Sequence, residues 1–145
     1  MPTTGVFNII TIDKLILLVK RNDVPFWDLP GGTLEKDEDY LTCLKREAFE
    51  ETGLFVSPTK KVGTFYNKQQ NDQQIVYCSQ IVGGELIISG PETNELKFFS
   101  IYKLPLNLIP HRRMQIKLAL KNLPPLQQNI RDNFLVQLFK HQKKS

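Results

Sequence analysis

Gly32-Thr33-Leu34-Glu35-Lys36-Asp37-Glu38-Asp39-Tyr40-Leu41-Thr42-Cys43-Leu44-Lys45-Arg46-Glu47-Ala48-Phe49-Glu50-Glu51-Thr52-Gly53-Leu54 carries the clearest helix signal in the chain and its densest acids. From Asp37 to Thr52 there is no glycine or proline, and Leu41, Leu44 and Ala48 recur at helical spacing. Gly53, just beyond, is a stop signal. The pattern predicts a helix over 37–52 that lays this apolar stripe on a sheet. Glu47, Glu50 and Glu51 are i,i+3 and i,i+4 neighbours, so their carboxylates project from one side. Like charges at that spacing repel, and they lie toward the C-terminal end, where the helix dipole disfavours anions. A helix that accepts both costs is expected to bind a cation there. Hard divalent ions such as Mg²⁺ suit carboxylates combined with substrate phosphates. Taken alone, the acids also fit an ordinary solvated helix face. Gly31-Gly32 allows close backbone approach to a ligand, and Arg46 can orient a carboxylate by charge-assisted hydrogen bonds.

Outward from this run, Val6–Ile12 and Lys14–Lys20 read as a strand hairpin turning at Asp13, and Phe26–Leu29 as a short extended stretch. Downstream, strands are expected over Lys61–Asn67, Ile75–Val82, Glu85–Ile88 and Leu96–Ile101. Helices are expected at about His111–Leu123 and about Gln127–Lys140. Paired strands with interspersed helices predict an α/β fold, a mixed sheet covered by helices on its faces. At 145 residues the chain is expected to form a single domain over 1–145, with the last helix packed on it.

Hydrophobic residues at 41% and charged residues at 23% argue against disorder and collagen-like repeats. The longest nearly apolar run, Leu15–Val19, is far short of the roughly 20 residues of a spanning helix. No basic stretch precedes an apolar core at the N-terminus, and Cys43 and Cys78 lack metal-ligand spacing, so a soluble cytoplasmic protein is expected. Charge is uneven. Residues 1–96 hold 9 Lys and Arg against 14 Asp and Glu, whereas residues 97–145 hold 10 against one acid, Asp132. The basic portion fits either a solvated surface or attraction to phosphate.

Gly32, Glu38, Arg46, Glu47, Ala48, Glu50, Glu51, Gly53 and Leu54 fall in the fixed places of a Gly-x5-Glu-x7-Arg-Glu-apolar-x-Glu-Glu-x-Gly-apolar pattern. This resembles a complete Nudix box. Trp27-Asp28-Leu29-Pro30-Gly31-Gly32 resembles the segment leading into that box, and Phe98–Pro105 the aromatic strand and turn beyond it.

The resemblance implies a Nudix-type α/β/α sandwich. It also implies a MutT-like pyrophosphohydrolase that uses Mg²⁺ or Mn²⁺ to cleave a nucleoside diphosphate linked to another group. The substrate is expected to be a (d)NTP or nucleotide sugar, and the product a nucleoside monophosphate. The implied metal ligands are Glu47, Glu50, Glu51 and the Gly32 carbonyl, with Glu92 or Glu95 as an outer acid. Glu47 and Glu50 form the implied catalytic set with Arg46, which holds the carboxylates in register; Glu47 is the candidate base. Gly31, Arg21, Trp27, His111 and Arg112 are the candidate substrate contacts, Arg21 for phosphate and Trp27 for base stacking. Cys43 is read as a small spacer. The branch signatures for ADP-ribose, dinucleoside polyphosphates and NADH are absent, so the branch stays open. Two other functions fit the same residues: a nucleotide-binding sensor with little turnover, and a hydrolase of RNA 5′ ends. The expected partner is a nucleotide, with no membrane; nucleic acid and a second copy of the chain are weaker candidates.

Overall fold

In a computed structural model of the chain, residues 2–87 and 94–131 are described. The first strand, β1 (Thr3–Ile12), turns at Asp13, whose φ of 52° is left-handed, into β2 (Leu15–Lys20). Two short strands follow, β3 (Trp27–Asp28) and β4 (Gly31–Thr33), and then helix α1 (Tyr40–Thr52). Long strands β5 (Leu54–Asn67) and β6 (Asp72–Gly84) precede β7 (Glu95–Ser100), α2 (Pro110–Leu120) and β8 (Leu126–Ile130). The sheet order is β3-β2-β1-β6-β5-β8, with β4 paired to β1 and β7 to β2. The β1–β6 and β5–β8 pairs are parallel and the others antiparallel, so the sheet is mixed as expected.

Side-chain alternation along the strands builds two cores. Val6, Ile10, Leu17 and Ile75 face α1 and pack with its Cys43, Leu44 and Ala48. Ile9, Ile16, Leu18, Phe65 and Val76 face the other way and pack with Ile116 and Ala119 of α2. One helix therefore covers each face, which is the α/β/α sandwich.

Several boundaries differ from the sequence reading. Helix α1 starts at Tyr40 because Asp37 is left-handed (φ 65°) and the Asp39 side chain caps the Thr42 N–H at 2.7 Å. Leu41 points outward, and Cys43 takes its place in the buried stripe. Strand β5 extends back to Leu54, through register shifts that include one beside Pro58, where a missing N–H is tolerated. Residues 85–87 form no strand. Of the helix expected over 127–140, residues 127–130 instead belong to β8, and the rest lies outside the described residues. The open edge of β5 selects this strand: Gly63 leaves room for the Leu126 backbone, and Ile130 is buried in the α2-side core. Among the described residues, no helix is long and apolar enough to cross a membrane.

Candidate active site

Strand β4 runs beneath the C-terminal half of α1, and the glycine pair sets how closely they meet. The Gly31 N–H donates to Glu51 Oε1 at 2.9 Å. The Glu47 carboxylate lies against Gly32 so closely that a Cβ there would collide with it. Gly31 is small for another reason: its Cβ would meet the Val6 carbonyl and Phe7 of β1.

Arg46 gathers the neighbouring acids. Its Nε and Nη2 donate to Glu38 at 2.7 and 3.0 Å, and Nη1 donates to Glu47 at 2.9 Å and Glu50 at 3.1 Å. The Arg46 hydrogen bonds, reinforced by the Glu35 N–H, hold the Glu38 carboxyl down to about 2. Glu51 lies outside this clamp. Burial pushes its carboxyl up to about 8; the charges of Glu47 and Asp28 add to the shift, and the Gly31 N–H and Arg21 oppose it.

Glu47, Glu51, Gly31 and Gly32 line a cavity of about 480 Å³, within the range of small-molecule sites. Phe7, Val24, Phe26 and Ile109 give it apolar walls, and Arg21, Asp28, Asp72, Gln74, Asn94 and Arg112 give it polar ones. The acids supply hard oxygen donors, the chemistry a divalent cation takes. Among the described residues, no three His, Cys, Asp or Glu side chains already converge as a cage. Glu50 faces Arg46 with its side chain 57% exposed, so it joins Glu47 and Glu51 only by leaving that arginine. With that rotation, the donor set fits a hard divalent ion.

The other expected contacts divide. Arg21 is at the cavity, ion-paired to Asp23 at 2.9 Å. Arg112 also lines it but is buried, with its Nε and Nη1 already engaged. Its Nε donates to Asp28 at 2.6 Å, its Nη1 to Gln74 at 2.7 Å and Gln115 at 3.0 Å, and its guanidinium lies 3.9 Å over the Phe7 ring.

Two expected substrate contacts lie off the cavity wall. Trp27 is 7% exposed, packs edge-on to Phe99 in the α2-side core, and is not part of the cavity wall. His111 is likewise buried, on the inward stripe of α2 formed by positions 111, 112, 115, 116 and 119, but unlike Arg112 it does not line the cavity. Glu95 is exposed at the start of β7 opposite Lys20 and does not line the cavity, although its neighbour Asn94 does; Glu92 lies outside the described residues. Cys43 is a buried spacer whose thiol is pushed up to about 12, first by burial.

Sequence reasoning overlooked Asp28, Asp72, Gln74 and Asn94 as polar wall residues. Asp28 lay within the quoted Trp27–Gly32 segment, a usable signal. Gln74 had none, since only the β1–β6 register brings it to the cavity.

Comparison with known proteins identifies the family. The family model for the NUDIX domain matches residues 1–119. A candidate 8-oxo-dGTP diphosphatase of Bacillus subtilis (strain 168) is 40% identical over 117 residues, which cover 80% of this chain and 78% of that protein. An ADP-ribose pyrophosphatase of Methanocaldococcus jannaschii is 32% identical over 120 residues, 78% of this chain and 70% of its own length. The crystal structure of a NUDIX hydrolase from Nitrosomonas europaea superposes with a TM-score of 0.76 at 18% identity, covering 90% of this chain and 80% of that one. The fold and its acid-bearing helix are those of a hydrolase acting on phosphorus-containing acid anhydrides. The chain belongs to the Nudix family of such hydrolases.

Proposed function

We propose that this Nudix hydrolase is a Mg²⁺-dependent pyrophosphohydrolase that cleaves a nucleoside diphosphate linked to another group. The substrate is a (d)NTP or nucleotide sugar, and the product a nucleoside monophosphate. The observation that carries this reading is the shared wall of Glu47 and Glu51 in a nucleotide-sized cavity whose other walls are apolar and hydrogen-bonding. The two relatives named as a diphosphatase and a pyrophosphatase support the reaction class.

Glu47, Glu51, Glu50 on release from Arg46, and the Gly32 carbonyl would hold the cation, which when bound neutralises diphosphate charge and lowers the pKa of water. Arg21 meets the phosphates at the cavity. Glu47 takes the proton of the attacking water as its oxygen bonds to phosphorus. The bridging P–O bond breaks, and its electron pair leaves with the departing phosphate group. Arg46 acts as a positioning residue, holding Glu47 in place through Nη1. Glu92 or Glu95 supplies the outer acid.

The test is phosphate and pyrophosphate release from (d)NTPs, nucleotide sugars, ADP-ribose, dinucleoside polyphosphates and triphosphorylated RNA, with Mg²⁺ and with EDTA. Turnover of (d)NTPs or nucleotide sugars that EDTA abolishes is the expected result. Silence across the panel, with nucleotide still bound, would replace the enzyme reading by a sensor.

A further inference from the structure

The basic portion of the sequence gathers on a surface that the active site does not use. From Lys97 to Arg131 the chain holds no acid. Arg113, Lys117 and Lys121 follow at i,i+4 and i,i+8 along α2 and its C-cap, on the side opposite the inward stripe. Lys60 of β5 joins them at the helix end, where its Nζ donates to the Ala119 carbonyl and, at 3.3 Å, to Asn122 Oδ1. Ahead of the helix, the loop after β7 brings Tyr102, 73% exposed, and the exposed Lys103. Arg113 Nη2 donates to the Pro105 carbonyl at 2.8 Å, which ties this loop to the helix. Lys14 Nζ donates to the Tyr102 hydroxyl at 3.0 Å and adds a further cation.

Helix chemistry accounts for only part of this charge. Lys117, Lys121 and Lys60 complement the negative end of the α2 dipole. Arg113 lies in the first turn, where the dipole disfavours a cation, and no acid stands there to offset it. Like charges four residues apart also repel. Among the described residues, none of Lys103, Arg113, Lys117 and Lys121 has an acidic partner. None of them lines the cavity, which α2 meets only through its inward Arg112.

We propose that this surface binds the backbone of a single-stranded polynucleotide, with Tyr102 as a stacking platform for one base. The three cations of α2 span about 12 Å at about 1.5 Å per residue. They form a row and not a pocket, so they suit a chain of phosphates better than one phosphate group. A basic row beside an exposed aromatic ring holds single strands without reading their sequence. An anionic membrane fits less well. A surface helix embeds its apolar face, and that face of α2, with Ile116 and Ala119, is buried in the core. The strand is a partner held outside the cavity, so the inference stands whether or not the chain hydrolyses nucleotides.

Fluorescence anisotropy tests this on the full chain, with labelled oligo(dT) and oligo(U) of about 15 nucleotides, near the upper end of single-module site sizes. Binding should weaken between about 50 and 200 mM salt, log K falling on log salt with a slope of about −0.7 per neutralised phosphate. Lys117→Gln combined with Lys121→Gln removes two contacts, so the slope should flatten by about 1.4 and affinity at the lower salt fall about tenfold. Tyr102→Ala should weaken binding on the order of tenfold and leave the slope unchanged, because stacking releases no counterions. Lys36→Gln combined with Lys45→Gln makes the same change of charge at exposed positions before and on α1, across the sheet from α2. That pair should leave the slope unchanged. Thermal melting establishes that each variant is folded.

Failure of the wild type to bind either oligonucleotide at the lower salt would overturn the proposal. So would an equal loss in the two lysine pairs, which would mark an effect of net charge, or a Tyr102→Ala affinity equal to wild type. Sedimentation with phosphatidylserine vesicles while both oligonucleotides stay free would assign the surface to lipid headgroups and overturn it equally.

Discussion

Glu51 and Gly32 show how single positions set the chemistry. Burial holds the Glu51 carboxyl well above the ordinary 4.5, at about 8. The metal-free folded protein therefore keeps a proton that the unfolded chain releases, and the stability linked to it is full below about pH 4.5 and lost as pH rises through about 8. In EDTA, the Tm of the wild type should fall by several degrees between pH 5 and pH 8.5, and Glu51→Gln should remove most of that fall. A Glu51→Gln curve as steep as wild type would place the titration elsewhere. The same variant should lose Mg²⁺-dependent turnover while remaining folded.

The two glycines predict opposite phenotypes. A Cβ at Gly32 meets the movable end of Glu47, whereas one at Gly31 meets the backbone of β1. Gly32→Ala should keep a near-native Tm and lower turnover on the order of 10²-fold, the effect of misplacing a reacting group by about 1 Å. Gly31→Ala should lower the Tm. Kinetics and melting of the pair check both expectations, and a Gly32→Ala enzyme with full turnover would refute the placement of Glu47.

At the scale of elements, α1 is held at both ends by local chemistry. Asp39 caps its first turn. Gly53 ends it at φ +80° with its N–H on the Phe49 carbonyl, where an added Cβ would strike the Glu85 backbone. Asp39→Ala should cost about 1 kcal/mol by denaturant unfolding. Because the cap is a full helix length from Glu51, turnover of the folded fraction should change less than twofold. A large loss of activity there would mean that the acids depend on the start of the helix. The C-terminal end was legible in the sequence because a glycine that ends a helix is a local signal. The start was misread by three residues because Asp37 has an unfavourable φ that composition does not reveal.

Across the whole molecule, Arg112 fastens three elements that are distant in sequence: Asp28 on β3, Gln74 on β6, and its own helix α2. Replacing it with leucine would leave the Gln74 oxygen buried without its donor and Asp28 without its cation. Arg112→Leu should therefore destabilise by about 3 kcal/mol, in the range for breaking a buried pair. Urea unfolding measures this, and a change below about 0.5 kcal/mol would show that the network adds no stability.

The chain's local patterns were enough to specify the acid-bearing helix, the strand hairpin before it, the glycine turn beside it and the mixed sheet. Each rests on periodicity, capping or backbone freedom, which a short window of residues carries. The tertiary structure alone decided that Trp27 and His111 belong to the core, that residues 126–130 pair with β5 as a strand, and that Asp28, Gln74 and Arg112 meet at the cavity. The physical reason is burial and strand register between segments far apart in sequence. Whether an aromatic ring packs or binds, and which edge an ambiguous segment joins, depends on surfaces that no local window contains.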